Sequence, residues 1–284
     1  MSMPVETIIS NDETLANSGF YWRERDDVKL LAAKQLEDAG FLNGFSTRGG
    51  GVSEFPKDSL NLAGFNEDQR ANIYENRRRF LRLFDGDFRL ALAWQVHGDN
   101  IRVVESIEDT GDSDEYADAL ISNIPRVLLA AKTADCVPVL IGDPVTGSFA
   151  AVHAGWRGTA QSIVIKAINK LSEVYGTDPH NLICAIGPAA SKCSYEVGQD
   201  VIDQFAAAFQ RSEKYFEPTR DGHALVDLHA ANRDQLIDSG VMEEKISTAP
   251  FCTMERPDLF FSYRLEKSKF GKTGRLLSVI GRAS

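Results

Sequence analysis

Residues Val127 to His153 read Val-Leu-Leu-Ala-Ala-Lys-Thr-Ala-Asp-Cys-Val-Pro-Val-Leu-Ile-Gly-Asp-Pro-Val-Thr-Gly-Ser-Phe-Ala-Ala-Val-His. Three near-continuous apolar runs lie within it: Val127 to Ala131, Val137 to Ile141 and Phe149 to His153. Runs of that length and composition mark strands covered on both faces. Asp143-Pro144-Val145-Thr146-Gly147 is turn chemistry, so the last two runs are expected to pair as a hairpin. A sheet that is buried on both sides and contains a hairpin favours α+β architecture over a strictly alternating parallel sheet.

Working outward, Thr159 to Tyr175 has the pattern of a helix, with Ile163, Ala167, Ile168, Leu171 and Val174 on one face and Gly176 as its stop. Leu182 to Ile186 and Leu276 to Ile280 read as strands, Gln199 to Gln210 and His229 to Asp238 as helices. Upstream, Asp26 to Ala39 is expected to be a helix closed by Gly40, followed by a strand from Phe41 to Thr47. Arg48-Gly49-Gly50-Gly51-Val52-Ser53 is too glycine-rich for a regular element. A helix is expected over Glu67 to Phe84, with Asn76 to Arg79 on its solvated face. Phe88 to Val96 and Ile101 to Glu105 read as strands around a tight turn at His97-Gly98-Asp99-Asn100, and Glu105 to Glu115 as an exposed acidic loop. No solenoid or propeller period occurs. The expectation is one layered sandwich of mixed sheets flanked by helices, spanning residues 41 to 284 after an N-terminal extension of residues 1 to 40.

Bulk composition narrows the function. The chain has 284 residues, 43% hydrophobic and 25% charged, with a formal net charge of -10, which argues against nucleic acid or anionic membrane as partner. Met1 to Asn17 lacks the basic and apolar regions of a secretory signal. No apolar stretch approaches the roughly 20 residues of a membrane span. Four cysteines without a Cys-X-X-Cys pair read as reduced thiols of a cytoplasmic protein.

The chemistry-bearing residues sit where apolar runs end. His97 follows one strand, Cys136 precedes another and His153 closes a third. Strand ends on one sheet edge converge, and two imidazoles with one thiolate can hold a divalent metal with a coordination position left open. The plainer alternative is a packed thiol and histidines bonded to carbonyls. His180, His223 and His229 lack comparable context.

Several motifs occur in order: Phe45-Ser46-Thr47-Arg48-Gly49-Gly50-Gly51-Val52-Ser53, Ser59-Leu60-Asn61-Leu62, Gln95-Val96-His97-Gly98 and Asp118-Ala119-Leu120. Thr133-Ala134-Asp135-Cys136-Val137-Pro138, His153-Ala154-Gly155-Trp156-Arg157-Gly158 and Ile186-Gly187-Pro188 follow, with Phe261-Ser262-Tyr263-Arg264 and Thr273-Gly274-Arg275 at the end. From about Phe41 onward the chain resembles the laccase-domain family, whose members are labelled polyphenol oxidases and also described as purine nucleoside phosphorylases. One departure is that Lys192-Cys193-Ser194-Tyr195-Glu196-Val197 keeps a single cysteine where the family commonly has two.

The resemblance implies that His97, Cys136 and His153 are zinc ligands and that the substrates are purine nucleosides (adenosine, inosine, methylthioadenosine) and phosphate. The protein would be a monomer or small homo-oligomer. It further implies that Arg48 binds substrate or phosphate and that Asn61, Cys193, Tyr195 and Arg264 line the pocket, while Trp156 and Arg157 read as scaffold. A His2Cys zinc with a vacant position acidifies bound water, which suits adenosine deamination. The usual deaminase signature is missing, so proton transfer would fall to Asp135, whose other reading is to orient a ligand histidine. A copper oxidase is disfavoured, because no methionine lies in a ligand motif and no His-X-His pair exists. A metal-free hydrolase with Cys136 as nucleophile and His153 as base is the remaining rival.

Overall fold

The computed structural model describes residues 15 to 63 and 68 to 284. Two six-stranded sheets lie face to face. The first runs β1 (Phe20–Arg25), β2 (Val28–Ala33), β3 (Leu42–Ser46), β15 (Leu276–Gly281), β7 (Val127–Thr133) and β4 (Arg89–Ala91). The second runs β14 (Ile246–Thr248), β10 (Ile183–Ile186), β8 (Val137–Gly142), β9 (Phe149–Ala154), β6 (Ala119–Ser122) and β5 (Ile101–Val103). A small third sheet, β11 (Glu196–Gly198), β13 (His223–Val226) and β12 (Phe216–Pro218), packs at one end. The helices are α1 (Lys34–Asp38), α2 (Arg70–Leu81), α3 (Trp156–Ala160), α4 (Ile163–Tyr175), α5 (Gln199–Ala208), α6 (Leu228–Asp238) and α7 (Tyr263–Phe270).

The apolar pattern explains the layers. Phe45, Leu129, Ala131 and Ile280 from the first sheet meet Leu120, Leu140, Phe149 and Ala151 from the second, forming the central core. Val139, Ile141 and Val152 on the other face of the second sheet pack against Ile163, Ala167, Ile168 and Leu171 of α4 and against α5 and α6. The outer face of the first sheet is covered by Phe80 of α2, Leu83 and Phe84. Each sheet is therefore buried on both sides, which is why β7, β8 and β9 are apolar at nearly every position. The architecture is the expected α+β sandwich of mixed sheets flanked by helices. Among the described residues no helix is long and apolar enough to cross a membrane.

Several local expectations need correction. Of the helix expected over Asp26 to Ala39 only the last part forms, as α1; before it β1 and β2 make an antiparallel hairpin around Asp26 and Asp27, both at positive φ (50° and 67°), as tight two-residue hairpin loops require. Leu30, Leu31, Ala32 and Ala33 are consecutive and all buried, because the first sheet is covered on both faces. These strands precede residue 40 and belong to the same sheet as β3. The expected start of α2 at Glu67 lies outside the described residues. Its Asn76 and Arg77 are buried rather than solvated, and Asn76 ties the glycine-rich loop together by bonding the backbone N–H of Val52 and the oxygens of Ser53 and Asn61.

The long helix expected from Thr159 breaks at Ser162, which has left-handed φ of 59°, and Val174 is exposed. The strands expected on either side of a tight turn at His97 are shortened to Arg89–Ala91 and Ile101–Val103, and they do not pair with each other. β4 pairs with β7 in the first sheet and β5 with β6 in the second, so the segment between them crosses from sheet to sheet. The β8–β9 hairpin forms as expected. β7 and β8, though consecutive, lie in different sheets, and the chain crosses between them through Ala134-Asp135-Cys136.

Candidate metal centre

These two crossings build the site. His97 lies on the first, in a left-handed backbone conformation (φ 61°). Cys136 lies on the second, following Asp135 at φ 85°. His153, near the end of β9, is paired in register with Pro138 of β8. The two histidine nitrogens and the cysteine sulfur fall within 4.8 Å of one another. The imidazoles of His97 and His153 meet edge to face, centroids 4.8 Å apart and planes at 80°. Gly155 backs the group: a Cβ there would lie 3.0 Å from His97 Cδ2 and 3.1 Å from Cys136 Sγ. Among the described residues no fourth histidine, cysteine or carboxylate joins the three. Two nitrogens and one sulfur this close together suit a borderline-soft divalent ion, and three ligands would leave a position for a reactant.

Asp118 organises this group. Fully buried, its carboxylate accepts the His153 Nδ1 at 2.8 Å and the backbone N–H groups of Val96, His97 and Gly98 at 3.2, 2.9 and 2.8 Å. The same residue therefore orients one ligand ring and fixes the backbone that carries another. Burial alone would raise its pKa, but the His153 bond and charge, helped by Gly98 and Val96, hold it below the ordinary carboxylate value. Burial likewise pushes the Cys136 thiol up. The charge and hydrogen bonds of His153 and His97 outweigh that and bring it below the usual thiol range. His153 moves the opposite way: burial would lower it, yet the Cys136 charge and Asp118 raise it. The site thus favours the anionic sulfur that a metal needs.

The histidine-orienting role read for Asp135 belongs instead to Asp118. Asp135 accepts from Thr253 Oγ1 (2.7 Å), Ser262 Oγ (3.0 Å) and the Arg264 backbone N–H (2.7 Å), which fastens the C-terminal segment beside Cys136. Burial pushes its pKa up against those bonds. Tyr195 and Arg264 stand together, the guanidinium 4.8 Å from the ring centroid, and burial, then the charge of Cys136, pushes the tyrosine up to about 12. Both line a cleft of about 380 Å³ that Trp156, Arg157, Glu196 and Arg220 also border.

The remaining residues expected at the site do not border this cleft. Arg48 donates to the carbonyls of Pro257 (2.7 Å) and Phe260 (3.1 Å), pairs with Glu266 at 2.8 Å and lies over Phe261. The amides of Arg48, Gly51 and Val52 already have protein acceptors. Asn61 is buried and accepts from the Ala63 and Arg275 amides. Cys193 is exposed, accepts from Ser194 and lies beside Cys252. None of the three lines the cleft. Sequence reading gave Asp118 no role, although a lone carboxylate directly before an apolar strand is itself a signal, since buried charges need several partners.

Gly155 yields a test. Its φ of -68° and ψ of 170° are open to any residue, so Gly155→Ala is expected to fold normally. Its methyl group would press on two ligands, weakening metal affinity about 10- to 100-fold, as read by chelator competition. Unchanged affinity would show that the three side chains need not stay where they are found.

A His-Cys-His group that could hold a metal, at the crossings of a two-sheet α+β sandwich, defines the class. The family described as multi-copper polyphenol oxidoreductase laccase matches residues 42–283, and the chain belongs to that family. It is 34% identical to purine nucleoside phosphorylase YlmD of Bacillus subtilis over 245 residues, covering 84% of this chain and 87% of the relative. It is 38% identical to a purine nucleoside phosphorylase of Deinococcus radiodurans over 240 residues, covering 84% and 87%. The crystal structure of YlmD from Geobacillus stearothermophilus superposes with a TM-score of 0.85 at 33% identity, covering 94% of this chain and 99% of that one.

Proposed function

We propose that this protein is a zinc-dependent purine nucleoside phosphorylase. It takes adenosine, inosine and methylthioadenosine, with adenosine deamination as a second activity of the same site. The convergence of His97, Cys136 and His153 within 4.8 Å carries the reading, supported by the names of the relatives. In the reaction a phosphate oxygen bonds to C1′ of the ribose as the bond to the purine nitrogen breaks, and the departing base takes a proton.

His97, Cys136 and His153 would hold the ion, which would supply Lewis acidity at its open position. Asp118 keeps the His153 ring turned toward Cys136. Tyr195 and Arg264 form a wall of the adjoining cleft. We assign proton transfer to Asp135: burial raises its pKa, and Thr253 and Ser262 are hydroxyls that can reverse their bonds and accept when it is protonated.

The test is metal analysis of purified protein together with adenosine and inosine assays with and without phosphate. About one zinc per chain, phosphate-dependent release of base and ribose 1-phosphate, loss on chelation and recovery with zinc are expected. Inosine formed from adenosine without phosphate would show deamination alone, and phenol turnover with stoichiometric copper would favour the oxidase. A second reading rests on the Asp118–His153–Cys136 relay, the order of groups in a thiol hydrolase. Full activity in metal-free protein, lost on alkylation of Cys136, would establish that reading and overturn the first.

A further inference from the structure

We infer that the cleft beside the metal centre is the site for inorganic phosphate, held between the guanidinium groups of Arg157 and Arg264. The inference rests on the phosphorolytic reading above and supplies its missing anion site.

Three arginines border the cleft, against two carboxylates, Glu196 and Asp200. Arg220 is neutralised by the Glu196 carboxylate, 2.8 Å away. Among the described residues Arg157 makes no ion pair, and the Arg264 side chain bonds uncharged acceptors, the Glu196 carbonyl at 2.8 Å and the Tyr195 hydroxyl, with Asp135 as its neighbouring charge. Each of these two is instead laid on an aromatic ring: Arg157 4.3 Å from the Trp156 ring centroid, Arg264 4.8 Å from that of Tyr195. A guanidinium stacked in this way keeps its N–H edge free for in-plane bonds, while the ring limits the rotamers it would lose on binding. Two such forks on one concave surface match the oxygens of a phosphate. The volume, about 380 Å³, suits a small ligand, and a net charge of -10 disfavours a polyanion.

Both arginines are tied to the metal ligands. Arg157 is two residues beyond Gly155, where an added Cβ would press on His97 and Cys136. The Arg264 amide is bonded at 2.7 Å to Asp135, the neighbour of Cys136. Arg48, the phosphate residue expected from sequence, is engaged by Glu266 and two carbonyls, so the role passes to residues that are free to take it.

The test uses the zinc-loaded full chain with Arg157→Met, which keeps an unbranched stem on Trp156, together with Arg264→Met and Arg157→Lys. Binding of inorganic phosphate is followed by calorimetry, and KM is measured separately for phosphate and nucleoside. Each Met variant is expected to weaken phosphate binding and raise its KM about 10- to 100-fold, the value of losing charge-assisted bonds. Zinc content should stay the same, nucleoside KM should move far less than phosphate KM in Arg157→Met, and Arg157→Lys should recover part of the loss. Wild-type protein that binds no phosphate, or Met variants with unchanged phosphate binding and KM, would overturn the assignment. Phosphate binding that is lost in the variants, in a wild-type protein without phosphorolysis, would uphold the anion site and reject the phosphorylase reading.

Discussion

If the protein is the zinc phosphorylase proposed above, His97→Asn is expected to leave a folded protein that has lost both its zinc and about three orders of magnitude in phosphorolysis. The magnitude follows from a Lewis-acid contribution of several kcal/mol, at about 1.4 kcal/mol per decade of rate. Asparagine is the informative replacement because position 97 has φ of 61°, a conformation it adopts more readily than alanine does. The side chain is exposed, so the metal-free melting temperature should move by no more than about 2 °C. Cys136→Ser should be equally damaging, but it does not separate the two readings of the site, since a metal ligand and a nucleophile are lost alike. His97 does separate them. It lies outside the Asp118–His153–Cys136 relay and only assists His153 in holding the Cys136 thiol down, so a thiol hydrolase would lose about tenfold in rate without it rather than three orders of magnitude. Zinc analysis and initial rates on the same preparations decide the matter, and a metal-free His97→Asn variant with near-normal turnover would reject the metal mechanism.

The parts of the molecule that could be read from sequence are those whose environment is uniform along the chain. β7, β8 and β9 are covered on both faces, so every position reports burial and the runs stand out. The same uniform cover misled at Val28 to Ala33, where four consecutive buried residues lack the alternation that distinguishes a strand from a helix. What sequence could not show is which sheet each strand joins. β7 and β8 are separated by three residues and sit in different sheets, and that crossing, not a common sheet edge, brings Cys136 to His97. The ligand types were legible because few residues bind metals; their convergence was not, because it depends on two crossings at one end of the sandwich. Arg48 and Arg157 illustrate the same limit. Each is an arginine beside glycine in a family-like motif, and only the three-dimensional partners, Glu266 for one and an open cleft for the other, separate scaffold from free cation.

Asp118→Asn is expected to damage stability and metal binding together, although it changes only one atom type. The carboxylate takes two donors on each oxygen: His97 N–H and His153 Nδ1 on Oδ1, Val96 and Gly98 N–H on Oδ2. An amide can satisfy one pair, but its NH2 must then face the other pair of donors. Two groups lose their acceptor, at about 1–3 kcal/mol each when buried. The loop is partly exposed and water relieves some of this, so a loss of about 2–4 kcal/mol is expected. For a chain of this length that lowers the metal-free melting temperature by about 3–7 °C. Zinc affinity should fall a further 10- to 100-fold, roughly the cost of releasing an oriented ligand histidine. Calorimetric melting of the metal-free protein and chelator competition measure the two effects independently. If the metal-free variant melts with wild-type protein but binds zinc weakly, Asp118 acts through the His153 ring alone. If both values are unchanged, the carboxylate does not organise the centre, and the crossing at His97 must be held by its own backbone.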